Sequence, residues 1–181
     1  MSISTEEYLH YCYSDGIKEI DRKKVAEDYN RDLLNRYPWL RITSKYTYTG
    51  ELTDPNTYEY TWADDIPSGW RLAFGDQMIE ELNRLIDKYD VKEYSIEQIK
   101  EKFGELCWYD SGFPEEGRDE YLAWEDKYTD LSYRTCICCG KPAKYRTKGW
   151  IVPVCKKCLS RVNCTEENAT PIITLAGGES E

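Results

Sequence analysis

The sequence predicts an α+β protein: helices with an aromatic core and a small antiparallel sheet, followed by a C-terminal four-cysteine zinc ribbon. Three observations lead to this fold class. First, the 181 residues include 6 Trp, 16 Tyr and 3 Phe, which can fill a core that the aliphatic residues alone could not. Second, segments with helical spacing of apolar residues alternate with short runs in which Tyr and Thr recur at every second position. Third, two Cys-x2-Cys pairs lie near the C-terminal end.

The first predicted element is an amphipathic helix over residues 21–37. Its apolar side chains recur at helical spacing, and Pro38, which cannot continue a helix, ends it. Two runs of alternating Tyr and Thr then predict a pair of strands. These runs are residues 44–49 and 57–62, joined by a turn at residues 53–56.

The second half of the N-terminal part contains three further helices and a strand. A long helix with one apolar stripe is predicted to begin at Ser68, which can act as its N-cap. The sequence Ser-Ile-Glu-Gln at residues 95–98 is a capping box, and it predicts a shorter helix that ends at Gly104. Residues 105–110 predict a strand. Aromatic and Leu residues at helical spacing over 121–131 predict the last helix.

The charges divide the chain into three parts. Residues 1–133 contain 30 acidic and 16 basic side chains, whereas residues 134–162 contain eight basic and no acidic ones. Residues 163–181 contain four Glu and no Lys or Arg. We therefore predict an acidic α+β domain (1–133), a basic zinc ribbon (134–162) and a mobile acidic tail (163–181). The net charge of −10 conceals this division, so it is a poor guide to binding partners.

The cysteine pairs predict a metal site. Cys136 and Cys139 form the first pair, Cys155 and Cys158 form the second, and fifteen residues separate them, as in four-cysteine zinc sites. Four thiolates close a tetrahedral shell at about 2.3 Å and leave no position open for water. The predicted cofactor is therefore a structural Zn²⁺. Cys138, inside the first pair, could compete as a ligand.

The segment between the cysteine pairs is both basic and aromatic. Residues 143–146 and 150–154 are predicted to pair as a hairpin around a turn at 148–149, which brings the two cysteine pairs together. Basic side chains interleaved with aromatic ones suit phosphate neutralisation and base stacking. The same side chains could instead dock on the acidic domain or on a protein partner. The predicted contact residues are Lys144, Arg146, Lys148, Trp150, Lys156 and Lys157.

Several classes of protein are disfavoured. No run approaches the roughly 20 apolar residues of a membrane span, and the N-terminus lacks the basic start and apolar stretch of a signal peptide. Eight Cys without such a peptide favour a reducing cytoplasm. With a single His and no glycine-rich phosphate loop, the sequence nominates no catalytic site. Asp64, Asp65 and Asp110 are the carboxylates that could serve as a base or a magnesium ligand.

Two sequence blocks precede the ribbon: IPSGWRLAFGDQM at residues 66–78 and IKEKFGELCWYD at residues 99–110. Together with the cysteine pairs, they resemble a group of uncharacterised bacteriophage and prophage proteins with such blocks ahead of a zinc ribbon. The resemblance covers about residues 30–160. It implies a phage-related origin and a bacterial cytoplasm, and it implies no activity. The usual pattern has basic or polar residues in place of Cys107 and Cys138, so the resemblance gives these two no role.

Three hypotheses for the function follow. The first is a phage or mobile-element accessory protein that binds a host protein, such as a component of bacterial defence, through the acidic and aromatic domain. The second is a nucleic-acid-binding or regulatory protein that uses residues 141–161 of the ribbon. The third is a protein that binds or sequesters a small phosphorylated ligand, with Lys or Arg holding the phosphates. The sequence predicts no oligomeric state.

Overall fold

The computed structural model describes residues 3–13, 19–42 and 58–172, and within them the predicted α+β class is confirmed. Strands β1 and β2 form a two-stranded antiparallel sheet, and β3, β4 and β5 form a second sheet in the order β4-β3-β5. The helices are α1 (Thr5–Tyr13), α2 (Glu19–Arg36), α3 (Ser68–Trp70), α4 (Asp76–Lys88) and α5 (Arg118–Arg134). The strands are β1 (Ser95–Lys102), β2 (Glu105–Ser111), β3 (Tyr145–Thr147), β4 (Pro153–Val154) and β5 (Ala169–Pro171).

The predicted long helix is confirmed, with one irregularity. A π-helical turn over Arg71–Gly75 joins α3 to α4, so that a single helical segment runs from Ser68 to Lys88. Ser68 is its first helical residue, and Pro67 takes the N-cap position without a side-chain hydrogen bond. The helices predicted over 21–37 and 121–131 are confirmed as α2 and α5, and the strand predicted over 105–110 is confirmed as β2.

The helix predicted from Ser95 to Gly104 is wrong, because these residues form β1 and its turn into β2. Ile96 and Ile99 are both buried, and this three-residue spacing is typical of a helix. A β-bulge between Ile96 and Gln98 inserts one extra residue, so both isoleucines reach the same face of a strand. Phe103 and Gly104, with φ of +53° and +84°, form a two-residue turn that suits a hairpin.

The strand predicted over 57–62 is also wrong in its described part. Residues 58–61 lie outside any strand, and a 3-10 turn over Trp62–Asp65 follows. Asp64 stabilises this turn by accepting a hydrogen bond from the backbone N–H of Thr61 (2.8 Å), which competes with strand pairing. The strand predicted over 44–49 and the turn predicted over 53–56 lie outside the described residues.

The core is aromatic, as predicted. Trp124 of α5 lies 5.4 Å from Trp108 of β2 and 5.7 Å from Tyr128, measured between ring centroids. The same buried cluster extends into the cysteine-rich segment, where Val152 and Val154 are fully buried. Residues 169–171, which belong to the segment predicted as a tail, form β5 beside β3. None of the helices in the described residues combines the length and apolar character that crossing a bilayer requires.

Candidate metal centre

The first cysteine pair lies in a tight turn directly after α5. The backbone N–H of Cys136 donates to the carbonyl of Lys141 (2.7 Å), and that of Gly140 donates to the carbonyl of Cys136 (3.0 Å). Gly140 has a φ of +71°, a left-handed conformation that glycine adopts without steric cost. The turn thus places the thiols of Cys136 and Cys139 on one side of the chain.

The hairpin of β3 and β4 brings the second cysteine pair to the first. The backbone N–H of Ile137 donates to the carbonyl of Pro153 (2.9 Å), which ties the first turn to β4. Cys155 follows β4 at once and is the N-cap of a 3-10 helix over Lys156–Val162. The backbone N–H of Cys158 donates to the carbonyl of Cys155 (3.0 Å), so this pair also lies in a tight turn. The hairpin predicted for the ribbon is therefore present, with β3 and β4 as its strands.

The four predicted cysteines come together. The sulfur atoms of Cys136, Cys139, Cys155 and Cys158 all lie within 4.8 Å of one another, and those of Cys139 and Cys155 are 3.7 Å apart. Four sulfurs in a tetrahedron at about 2.3 Å from a metal ion lie roughly 3.8 Å apart, so the spacing fits such a shell. In the described part of the chain, no other group of three or more His, Cys, Asp or Glu is arranged to hold a metal ion.

Cys138 does not belong to this group of four. Its thiol forms a hydrogen bond with Cys136 that lowers the pKa of Cys136 to about 4 and raises the pKa of Cys138 itself. Burial raises the pKa of Cys139, and it raises the pKa of Cys158 to about 12. Burial therefore opposes several thiolates in one place, and a divalent cation would supply the compensating positive charge.

The four-cysteine group is packed directly on α3. The backbone N–H of Gly69 donates to the carbonyl of Ile137 (2.9 Å), and the indole N–H of Trp70 donates to the carbonyl of Thr135 (2.9 Å). A Cβ on Gly69 would lie only 2.4 Å from the carbonyl oxygen of Cys136. Only glycine allows this approach. The Gly-Trp dipeptide therefore packs against the first cysteine pair. In the sequence these two features are far apart and look unrelated.

Two of the basic residues predicted as contact residues are engaged within the protein. Arg146 donates from Nη2 to the carbonyl oxygen of Phe103 (2.5 Å), and its guanidinium lies 4.0 Å from the ring centroid of Tyr133. Lys156 forms an ion pair with Glu166 (2.8 Å). Arg146 thus joins the ribbon to the β1–β2 hairpin.

The other four predicted contact residues are exposed. Lys144, Lys148 and Lys157 form no ion pair with any described residue. Trp150 is 61% exposed, although its indole N–H donates to Oε2 of Glu101 (2.8 Å). Beside this surface lies Phe103, which is 70% exposed. The sequence prediction missed Phe103 because it placed that residue in a helix.

Asp64 has a structural role. Its side chain is buried, and it accepts hydrogen bonds from the Tyr8 hydroxyl (2.6 Å) and from Nη1 of Arg71 (2.7 Å) on Oδ1. Its Oδ2 accepts bonds from Thr61 and Asn30. Burial disfavours the charge of Arg71, but Asp64 more than offsets this and raises the pKa of Arg71 above its usual value. With both oxygens occupied, Asp64 holds α1, α2 and the π-helical turn together.

Asp110, another of the carboxylates that the sequence offers as a base or a magnesium ligand, accepts a 2.5 Å hydrogen bond from the Tyr121 hydroxyl. Burial, followed by this bond, raises the pKa of Tyr121 above its usual value. Asp110 thus connects β2 to α5.

Comparisons with known proteins give no assignment. A scan against models of protein families, a search of curated proteins and a search of solved structures each return no significant match. The resemblance to phage and prophage proteins therefore stays a prediction.

Proposed function

We propose that the four-cysteine group holds a structural Zn²⁺ and that the protein acts by binding rather than by catalysis. The observation that carries this proposal is the closed arrangement of four sulfurs, with Cys139 and Cys155 at 3.7 Å. A four-sulfur shell leaves no coordination position for water or substrate, so the metal stabilises the fold. Tetrahedral four-thiolate sites favour zinc or iron over magnesium and calcium, and zinc is the usual metal in turns of this spacing.

The zinc would fix the contact between the ribbon and α3. Gly69 and Trp70 are hydrogen-bonded to residues beside Cys136, so ordering the cysteine turn also orders this contact. Metal binding to such a site is coupled to folding, because the ligands are not preassembled in the unfolded chain.

Metal analysis with a matched pair of variants tests the zinc site. Cys139→Ser removes one of the four sulfurs, whereas Cys138→Ser removes a neighbouring thiol that lies outside the group. We expect one zinc per chain in the wild-type protein and in Cys138→Ser, and a loss of stoichiometric zinc in Cys139→Ser. Full zinc content in Cys139→Ser, or loss in Cys138→Ser, would overturn the ligand assignment.

For the binding target we propose a protein of a bacterial host, contacted by the face that α4 and α5 share. A shallow, largely apolar depression on this face is lined by Leu85, Ala123 and Trp124. Ion pairs between Lys88 and Glu120 and between Lys127 and Glu81 surround it. An apolar centre with a charged rim is the usual anatomy of a protein interface. The resemblance to phage proteins supports a mobile-element accessory role in the bacterial cytoplasm, including the inhibition of a defence protein.

Capture of partners from bacterial lysate tests this target. Ala123→Arg places a long charged side chain in the depression, and Leu72→Arg makes the same change at an exposed apolar residue of the π-helical turn. We expect a captured protein to be lost with Ala123→Arg and kept with Leu72→Arg. A partner that both variants retain would contradict the proposed face, and the absence of any partner would contradict the proposed function.

A further inference from the structure

Two hairpin tips meet on one edge of the molecule. The β1–β2 hairpin turns at Phe103 and Gly104, and the loop between β3 and β4 contains Trp150 and Ile151. A Cβ on Gly104 would lie 3.1 Å from the carbonyl oxygen of Ile151, so the two backbones are in close approach. The bond from Arg146 to the Phe103 carbonyl and the bond from the Trp150 indole to Glu101 hold the tips together.

Three large apolar side chains remain exposed there: Phe103 (70%), Trp150 (61%) and Ile151 (37%). We call these three residues the tip platform. Burying a side chain such as Phe stabilises a protein by about 1.5–3 kcal/mol, so leaving these side chains exposed forgoes that stabilisation. An exposed apolar cluster of this kind is typical of a contact site.

The turn position of Phe103 supports the same conclusion. Its φ of +53° lies in the left-handed region, which Gly and Asn adopt more readily than an aromatic residue. Phe103 therefore neither favours the turn conformation nor adds buried apolar area to the core. Residues whose backbone conformation lowers the stability of the fold concentrate at functional sites.

Exposed lysines lie on both sides of the tip platform, and the Glu101 carboxylate is engaged by the Trp150 indole and the Gly104 N–H. Lys148 is exposed two residues before Trp150, and Lys102 is exposed in the other hairpin, 5.8 Å from the centroid of the Phe103 ring. The segment 134–162 contains eight basic and no acidic residues. Glu105 is opposite Lys102 in the β1–β2 hairpin, whereas no acidic residue is adjacent to Lys148 in the β3–β4 loop.

We propose that the tip platform binds single-stranded nucleic acid. Phe103 and Trp150 would stack on unpaired bases, and Lys148 and Lys102 would neutralise phosphates. Base stacking on aromatic rings beside a positive surface is the general mode of single-strand recognition. In a duplex the base faces are covered by their neighbours, so rings at a protruding tip gain little from it. This inference is independent of the proposed protein target, which uses the α4–α5 face.

Fluorescence anisotropy with a labelled oligo-dT and a matching labelled duplex tests the platform. We expect the single strand to bind more tightly than the duplex at about 50 mM salt and to weaken strongly towards about 200 mM. Removing one ring should weaken single-strand binding by about 5-fold to 150-fold, which is the range for one lost base stack. Lys148→Ala should reduce the salt slope by about 0.7.

Phe103→Asn is the most informative ring variant. Asn suits the positive φ of the turn, so this change removes the ring without destabilising the hairpin. Trp150→Phe keeps a ring and should retain most of the affinity that Trp150→Ala loses. Leu72→Ala and Lys24→Ala, at exposed positions on other elements, should leave binding unchanged.

The proposal is overturned if no oligonucleotide binds at about 50 mM salt. It is also overturned if the duplex binds as tightly as the single strand and the ring variants have no effect, because the surface would then act by charge alone. Zinc content and unfolding temperature are measured for each ring variant as controls. If both are unchanged, a loss of affinity is caused by the loss of the ring and not by unfolding.

Discussion

Replacing Gly69 by Ala should destabilise the protein, although the same change in an ordinary helix would stabilise it. Gly69 lies in the first turn of α3, where Ala is favoured by up to about 1 kcal/mol. Its Cβ, however, would lie 2.4 Å from the carbonyl oxygen of Cys136 and 2.5 Å from that of Ile137. Both atoms belong to the backbone of the cysteine turn, so they cannot move aside without moving Cys136, one of the proposed metal ligands.

The magnitude follows from three contributions. Overpacking against a rigid neighbour costs about 1–3 kcal/mol. Moving the turn away also weakens the hydrogen bonds from Gly69 to Ile137 and from Trp70 to Thr135, each worth about 0.5–1.5 kcal/mol. The gain in helix propensity offsets part of this loss. We expect a net loss of about 2–4 kcal/mol, or roughly 5–15 °C in unfolding temperature for a chain of this size.

The assay is thermal unfolding of the zinc-loaded protein, together with zinc affinity measured against a competing chelator. Gly69→Ala should lower both. Gly149→Ala is the control: Gly149 lies in the β3–β4 loop with no atom within 4 Å of an added Cβ, so its φ of +82° is the source of strain. It should cost about 1 kcal/mol and leave zinc affinity unchanged. A Gly69→Ala protein as stable as the wild type would refute the contact between α3 and the cysteine turn.

Three further predictions concern other parts of the molecule. Arg71→Met leaves the buried Asp64 without its cation, and chemical denaturation should show a loss of about 3–5 kcal/mol in the free energy of unfolding. The control Lys127→Ala breaks an exposed ion pair with Glu81 and should lower the same free energy by less than about 1 kcal/mol. Equal losses in the two variants would contradict the structural role of Asp64. Burial, followed by the charge of Asp110, raises the pKa of Glu125, so its ionisation weakens the fold as the pH rises above the ordinary value of 4.5. Glu125→Gln should therefore raise the unfolding temperature at neutral pH and have little effect at lower pH, where Glu125 is protonated in both states; a destabilising effect at neutral pH would contradict this. Zinc removal by a chelator should lower the unfolding temperature of the wild type but not further lower that of Cys139→Ser, and an insensitive wild type would argue against a structural metal.

The features predicted correctly from the sequence are those with local signatures. The Cys-x2-Cys spacing predicted the four-sulfur group, because each pair needs only a tight turn, and a short hairpin brings the pairs together. The helical spacing over α2, α4 and α5 predicted those helices, because each buries one stripe against the core.

The features that the sequence did not predict depend on contacts between distant segments. The β-bulge between Ile96 and Gln98 gives β1 a helix-like apolar spacing, so no count of periodicity could identify the strand. The close approach of Gly69 to Cys136 joins residues far apart in the chain. Gly next to Trp in the first turn of a helix was the available hint, because Gly is unfavourable there unless something packs against it.

X-ray absorption at the zinc edge of the purified protein tests most directly whether four thiolates form a closed shell around zinc. We expect four sulfur neighbours at about 2.3 Å from the zinc ion and no nitrogen or oxygen neighbour. A shell of fewer than four sulfurs completed by oxygen or nitrogen would contradict it, because at least one of the four cysteines would then not be a ligand.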